Sequence, residues 1–271
     1  MNNFTAYPEI LAEQDSYSTP SDGHPAGSSL MASLKFYLNV IRVVWNGNRQ
    51  TKTGDYTRYN WAASSLDVLH SLERSGVNFE ITGMKNITSF EGPAIFIPNH
   101  MSTLETMVLP GIIQPVKSVV FVTKKELTDY PIFGPVNGAR HPIIVGRENP
   151  REDLAIVFNE GAARINDGRS IIIFPQKTRT PYLDVKNFNT LGIKLAKRNN
   201  VPVIPVAIIS DAWGNGKIIK EFGKIDPSKK VRFSFGEPIQ VKGNGSEEHQ
   251  KVIEFIKSKF IEWGREDNIK K

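Results

Sequence analysis

The sequence predicts an α/β fold in which helices cover a mostly parallel central sheet, preceded by an N-terminal helical segment that is a candidate membrane-docking segment. From Val77 onward, short runs rich in β-branched residues alternate with helical patterns. Most of these runs are continuously apolar, as strands are when both faces of their sheet are covered. The candidate strands are residues 94–97, 118–122, 142–145, 170–174, 202–209 and 231–235.

Length and composition narrow the classes of protein that need to be considered. The 271 residues suffice for one large domain or two small ones. The chain has no cysteine, which excludes disulfides, thiolate nucleophiles and cysteine-ligated metals. No two of its five histidines are four residues apart, the spacing that places two imidazoles on one helix face. We therefore expect no histidine-rich metal site.

The chain is expected to contain three segments: a leader at 1–28, N-terminal helices at 29–76, and an α/β domain at 77–271 that ends in an amphipathic helix. The leader is rich in Ser, Pro and Gly, and it carries acidic residues without a basic one. Such a composition buries too little apolar surface to offset the entropy of ordering. It predicts a flexible, acidic leader.

The segment 29–46 has a strongly apolar helical pattern. Its stripe consists of Leu30, Leu34, Leu38, Ile41 and Trp45. The only charges, Lys35 and Arg42, are seven residues apart and therefore on one face, an arrangement typical of a helix lying in a membrane interface. A helix buried under its own domain fits the same pattern, and the sequence leaves both interpretations open. No run approaches about 18 apolar residues, so a bilayer span is not expected.

Four further helices are predicted from periodicity and end signals. One covers 59–75 before Gly76, and another covers 150–167 with Asn149 as its N-cap. A third covers 187–198. The C-terminal helix begins at Ser246 with two glutamates in its first turn.

The clearest chemical signal is the run NHMSTLE at 99–105, directly after a candidate strand. His100 and Glu105 are 140° apart on a continuous helix and could not meet there. If the helix begins at Ser102 or Thr103, however, His100 lies on the turn and Glu105 lies in the first helical turn. The carboxylate then fixes the imidazole tautomer and leaves the other nitrogen free to accept a proton. A capped helix with an incidental histidine is the alternative.

Basic residues follow other candidate strands. Lys177 and Arg179 lie just after the strand at 170–174, and Arg147 lies at the end of the strand at 142–145. Carboxyl ends of parallel strands share one edge of a sheet, so these cations predict an anion pocket beside the His–Glu pair. Each arginine alone is also compatible with a surface charge or a structural ion pair. Since no aromatic residues are interleaved with the cations, we expect no nucleic-acid binding.

Four ordered blocks resemble the phospholipid and glycerolipid acyltransferase family over roughly residues 79–240. The first is the family's NH-x-S-x-x-D block with glutamate as the acid, an HX4E motif. The blocks lie at 99–105, at 133–147, at 174–180, where FPQKTRT resembles FPEGTRS, and at 201–208, where VPVIPVAI matches a hydrophobic strand.

The resemblance implies acyl transfer from acyl-ACP or acyl-CoA to the hydroxyl of a lysophospholipid such as 1-acyl-glycerol-3-phosphate, in phospholipid biosynthesis. It assigns His100 and Glu105 as the catalytic pair. It further places Arg147, Lys177, Thr178 and Arg179 at the acceptor phosphate, with Asn99, Ser102 and Gln176 in support. It also implies peripheral or monotopic attachment to the cytoplasmic face of a membrane, where the lipid acceptor lies.

The third block departs from the family pattern because Gln176 and Lys177 replace Glu-Gly. This change removes a carboxylate and adds a cation, and Asp184 is either a substitute acid or a turn residue. The alternatives are a related lysolipid or amino-lipid acyltransferase, a hydrolase that uses the same base on water, and a non-enzymatic lipid-binding protein of this fold.

Overall fold

The computed structural model describes residues 11–20, 28–129, 133–216 and 221–270. The strands are β1 Ser16–Ser18, β2 Phe79–Thr82, β3 Ile95–Pro98, β4 Val119–Lys124, β5 Ile143–Val145, β6 Ser170–Ile172, β7 Leu183–Asp184, β8 Val203–Ile209, β9 Val231–Phe235 and β10 Ile269–Lys270. The helices are α1 Ser29–Thr53, α2 Arg58–Arg74, α3 Lys85–Thr88, α4 Leu104–Ile113, α5 Phe133–Gly138, α6 Pro150–Asn166, α7 Leu191–Asn199 and α8 Ser246–Glu262.

The central sheet has the order β1-β2-β9-β8-β3-β6-β4-β5. Neighbouring strands are parallel except for β1 with β2 and β8 with β9. The mostly parallel α/β sheet is therefore confirmed, and all six candidate strands are present. The short strands β7 and β10 form a separate parallel pair.

Hydrophobic side chains cover the sheet on both faces, as the continuously apolar strands predicted. In β3, Phe96 belongs to the core on one face, which includes residues of α1, α2 and α4. Its neighbours Ile95 and Ile97 belong to the core on the other face, which includes residues of α6, α7 and α8. This alternation follows from the two-residue repeat of a strand. Because α1 and α2 share a core with the strands, they pack as part of the same folded unit.

The structure corrects the prediction of a flexible leader for residues 11–20. Leu11 and Ala12 are buried in the core, and β1 pairs with β2. The hydroxyls of Tyr17 and Thr19 also donate to Glu73 of α2. The average composition of residues 1–28 did not indicate that residues 11–20 are ordered, because two buried apolar residues and a few hydrogen bonds suffice to hold this short segment. Residues 1–10 and 21–27 of the predicted leader lie outside the described residues.

Helix α1 exposes the apolar stripe that the sequence predicted. Leu30, Leu34, Leu38, Ile41 and Trp45 are all exposed, Trp45 by 68%. The opposite face of α1 buries Ala32, Phe36, Val40 and Val44 in the core. The helix also continues seven residues beyond its predicted end, to Thr53, and is capped by Gly54, whose φ of 76° is the left-handed conformation that ends helices. No helix in the described ranges is long and apolar enough to cross a membrane.

Helix ends on the other face follow local signals. The Asn149 side chain accepts from the backbone N–H groups of Arg151 and Glu152, so the predicted N-cap of α6 is confirmed. Helix α8 begins at Ser246 as predicted. Helix α7, in contrast, begins at Leu191 instead of residue 187. The backbone and side chain of Asn187 bind the Asp184 carboxylate, and this turn delays the helix.

Candidate active site

His100 and Glu105 converge on the turn between β3 and α4. The strand ends at Pro98 and the helix begins at Leu104, so Glu105 lies in the first helical turn. His100 Nδ1 lies 2.9 Å from Glu105 Oε1. The neighbouring Asn99 fixes this turn to β8, since its side chain donates to the carbonyl of Ile208 and accepts from the N–H of the same residue. The predicted convergence of the pair is confirmed.

Glu105 is fully buried, and each hydrogen bond that it accepts from a described residue favours its charged form. Its Oε1 also accepts from the backbone N–H groups of Met101 and Ser102, at 2.6 and 2.8 Å. Its Oε2 accepts from the hydroxyls of Ser102 and Ser210, at 3.0 and 2.6 Å. Burial opposes ionisation, but the hydrogen bonds from His100, Ser210 and Ser102 outweigh it and lower the pKa of Glu105.

The ionised carboxylate determines the tautomer of His100. A carboxylate only accepts hydrogen bonds, so Nδ1 must carry a proton, and in the neutral imidazole Nε2 keeps its lone pair. The imidazole stacks on Phe174 with ring centroids 4.0 Å apart, and Phe174 in turn stacks on Phe121. The side chain of His100 retains 16% exposure. The ring is therefore held rigidly, with one basic nitrogen available to a reactant.

Gln176 joins the turn that follows β6 to the turn that carries His100. Its Oε1 accepts from the backbone N–H of His100 at 3.1 Å, and its Nε2 donates to the carbonyl of Tyr182 at 2.9 Å. The backbone N–H of Thr180 adds a bond to the carbonyl of His100. An ionised glutamate at 176 would place a carboxylate oxygen against the Tyr182 carbonyl, whereas the amide of Gln176 donates to it. Gln176 in place of glutamate thus has a local structural reason.

Arg179 lies beside the turn of the His–Glu pair. One Nη atom donates to the hydroxyl of Thr103, and the other lies 2.5 Å from a carboxylate oxygen of Glu221. The side chain is 16% exposed. Arg179 is therefore placed where an anion bound next to His100 could reach it, although Glu221 now neutralises part of its charge.

Arg147 approaches from the end of β5. Its backbone has a φ of 66°, and the Asp153 carboxylate at the start of α6 accepts from its N–H at 2.8 Å. Its guanidinium donates to the carbonyl of Lys177 at 2.5 Å. The structure thus brings Arg147 onto the same turn as Arg179, as the shared sheet edge predicted.

The side chains of Lys177 and Thr178 are exposed and make no hydrogen bond to a described residue in this structure. Asp184 accepts from the backbone and side chain of Asn187, which is the turn role considered for it. No group of three or more histidines and carboxylates that could hold a metal lies in the described ranges.

Two polar residues of the site escaped the sequence prediction. Ser210 directly follows the buried strand β8, and its position at a strand end beside the His–Glu turn was the available signal. Glu221 had no such signal. Its contact with Arg179 depends on the path of the chain after β8, which brings the two together across 42 residues.

Comparisons with known proteins match the part of the chain that carries this site. Residues 78–209 match the family model described as Acyltransferase. The chain is 32% identical over 133 residues to a 1-acyl-sn-glycerol-3-phosphate acyltransferase from Pseudomonas aeruginosa, covering 49% of this chain and 50% of that protein. It is 34% identical to the enzyme of the same name from Haemophilus influenzae, covering 49% and 57%. It thus spans about half the length of the curated relatives that it matches.

A solved structure shares the fold. The crystal structure of the 1-acyl-sn-glycerophosphate (LPA) acyltransferase PlsC from Thermotoga maritima superposes with a TM-score of 0.62 at 23% identity. The similarity covers 87% of this chain and 96% of that one. His100, Glu105, Arg147 and Arg179 all lie within the matched family domain.

Proposed function

We propose that this protein transfers a fatty acyl group from a thioester, acyl-ACP or acyl-CoA, to the hydroxyl of a lysophospholipid in phospholipid biosynthesis. The proposed acceptor is 1-acyl-glycerol-3-phosphate. The observation that carries the proposal is the His100–Glu105 pair at the carboxyl end of β3, with Arg147 and Arg179 on the adjacent turns. The names of the relatives support the choice of acceptor.

The proposed reaction needs one base. His100 Nε2 accepts the proton of the acceptor hydroxyl while the hydroxyl oxygen attacks the thioester carbonyl carbon. Glu105 stabilises the resulting imidazolium through Nδ1. The tetrahedral intermediate then breaks its carbon–sulfur bond, and the imidazolium returns the proton to the leaving thiolate. We propose no metal or cofactor, because attack by the hydroxyl oxygen, departure of the thiolate and transfer of one proton through His100 account for every bond that forms or breaks.

Arg147 and Arg179 are proposed to bind the acceptor phosphate. Guanidinium groups pair with phosphate through two parallel hydrogen bonds. Glu221 now takes one edge of Arg179, so a bound phosphate must share or replace that contact. Lys177 and Thr178, exposed on the same turn, are proposed to contact the phosphate from the solvent side.

We further propose that α1 holds the protein on the cytoplasmic face of a membrane as a peripheral or monotopic protein. Its apolar stripe is exposed along about four turns while its opposite face packs in the core. Lys35 and Arg42 are exposed beside the stripe, where anionic headgroups would meet them. An interfacial position would also shorten the path of an acyl chain from the bilayer to the site.

Membrane attachment is tested by changing the exposed stripe and leaving the buried face of α1 intact. Replacing Leu38 and Trp45 by Gln should reduce co-sedimentation with phosphatidylglycerol vesicles, because both side chains are exposed. Ile261→Gln, at an exposed apolar position on α8, is the matched control. Unchanged sedimentation of the double variant, or an equal loss in the control, would rule out the stripe as the anchor.

The activity itself is tested with labelled acyl groups on both ACP and CoA, offered to a panel of lysolipids and to no acceptor. Transfer to 1-acyl-glycerol-3-phosphate should occur and should be lost in His100→Ala. Release of free fatty acid without an acceptor would identify a hydrolase. Lipid binding without either product would identify a binding protein, and transfer by a folded His100→Ala variant would refute the mechanism.

A further inference from the structure

A second basic cavity lies away from the candidate active site. It has a volume of about 300 Å³ and opens between the start of α2 and the strands β4, β5 and β6. Its basic lining residues are Arg58, Arg140, His141 and Arg169. No aspartate or glutamate of the described chain lines it. Its lining thus brings several basic side chains together.

The direction of the strands separates this cavity from His100. Ser118 and Arg169, which line it, directly precede β4 and β6, and His141 lies just before β5. These are the amino ends of parallel strands, whereas His100 follows the carboxyl end of β3. The two sites therefore lie at opposite edges of the sheet, on the order of 10–20 Å apart for strands of three to six residues.

Arg140 at this cavity is held by aromatic rings. Its guanidinium carbon lies 4.7 Å from the centre of the Trp61 ring and 5.8 Å from that of Tyr56, and its Nη2 donates to the Tyr56 hydroxyl. The ion pairs found among the described residues include neither Arg140 nor Arg169. Arg169 instead donates to the carbonyl of Arg140. The arrangement orients two guanidinium groups without a direct ion pair to a described carboxylate, although Asp167, outside the cavity lining, attracts Arg169 electrostatically.

A second, independent observation also indicates a ligand. The indole Nε1 of Trp61, whose side chain is 97% buried, has no hydrogen-bond partner among the described residues. The Nε of Arg140 is also buried without a partner. Buried donors in native proteins almost always have an acceptor. Two unpaired donors on residues that line one basic cavity therefore indicate that an acceptor-rich molecule binds there.

We infer that this cavity binds a phosphate group, carried either by a lipid headgroup or by a soluble phosphate ester. Phosphate supplies negative charge and several acceptor oxygens, which match paired guanidinium groups and unpaired N–H donors. The volume accommodates a phosphate with a small ester substituent. The site is distinct from the acceptor pocket of the proposed function and does not depend on that proposal.

The test measures binding of inorganic phosphate by calorimetry at constant ionic strength. It uses an Arg147→Gln/Arg179→Gln background, so that the candidate active site does not contribute. Saturable binding should persist there, and it should weaken at least tenfold on adding Arg140→Gln or Arg169→Gln. Arg198→Gln is the matched control, since Arg198 also lies over an aromatic ring, that of Phe158, at 5.2 Å.

Thermal unfolding of each variant identifies any loss of fold, and Arg169→Gln keeps the test valid if Arg140→Gln unfolds. Vesicles of phosphatidylcholine with and without phosphatidylglycerol distinguish the two sources of phosphate. A headgroup ligand predicts that Arg169→Gln weakens association with the anionic vesicles. A soluble ester predicts loss of phosphate binding alone. Absence of saturable phosphate binding in the background variant, or equal weakening by Arg198→Gln, would overturn the inference, whatever the outcome of the activity assays.

Discussion

Two histidine–glutamate pairs with almost equal nitrogen–oxygen distances lie in different regions of this molecule. His100 Nδ1 lies 2.9 Å from Glu105, on the turn between β3 and α4. His70 Nδ1 lies 3.0 Å from Glu73, one turn further along α2. Both glutamates have a lowered pKa. Distance and charge therefore do not distinguish the two pairs.

The remaining partners of each carboxylate do distinguish them. Glu105 accepts from its own turn and from Ser210, so its contacts orient His100 at a strand end beside two arginines. Glu73 accepts from the hydroxyls of Tyr17 and Thr19, at 2.8 and 2.7 Å, and so joins the β1 segment to α2. The same pair of side chains serves one region as a candidate catalytic base and the other as a clamp on the fold.

The largest expected effect separates the two histidines. His100→Ala removes the general base, and we expect acyl transfer to fall by about 10²–10⁴-fold. His70→Ala keeps the base and should leave turnover near that of the unmodified protein. Steady-state transfer to 1-acyl-glycerol-3-phosphate, with circular dichroism to confirm folding, measures both variants. An equal loss of turnover in the two variants would show that His100 is not the general base that distinguishes the two regions.

The next effect concerns Arg147 and Arg179, the two arginines proposed to bind the acceptor phosphate beside His100. Arg147→Gln or Arg179→Gln removes a hydrogen bond to a charged group, worth about 1.5–3 kcal/mol, so kcat/KM for the acceptor should fall by roughly 10–150-fold. The thioester kinetics should change much less, and an acceptor without phosphate should be nearly unaffected. If phosphorylated and unphosphorylated acceptors lose activity equally, these arginines do not bind the phosphate.

Gln176 gives a smaller, pH-dependent effect. In Gln176→Glu an ionised carboxylate would face the Tyr182 carbonyl, and we expect roughly tenfold lower activity near neutral pH. A protonated glutamic acid can donate to that carbonyl and still accept from the N–H of His100. The ratio of variant to unmodified activity should therefore rise as pH falls through the pKa of the new carboxyl.

Gln176→Met is the control for this prediction, because it fills similar space, makes neither bond and cannot be protonated. Its activity ratio should stay constant with pH. A constant ratio in Gln176→Glu as well would show that Gln176 merely fills space.

The contacts behind these predictions differ in whether the sequence alone could predict them. The convergence of His100 and Glu105 is local, because the two residues are only five positions apart and the start of α4 lies between them. It could therefore be predicted from the sequence. The contacts of Ser210 and Glu221 join segments 105 and 42 residues apart, so they depend on the folded sheet. The Glu73 clamp was missed for the same reason, because its partners lie in a segment whose composition suggested no fixed structure.

The smallest expected effect concerns Glu73 and falls on stability instead of activity. Burial raises its pKa, but hydrogen bonds from His70, Thr19 and Tyr17 outweigh burial and lower it. A carboxyl group whose pKa is lowered on folding stabilises the fold at pH values above its unfolded-state pKa. This contribution is lost as pH falls through the folded-state pKa.

Glu73→Gln should therefore reduce the free energy of unfolding by about 1–2 kcal/mol at neutral pH and by less in acid. Urea unfolding at several pH values measures this difference. Turnover should not change, whereas Glu105→Gln should impair it, and an equal loss of turnover in both variants would contradict the separation of the two regions.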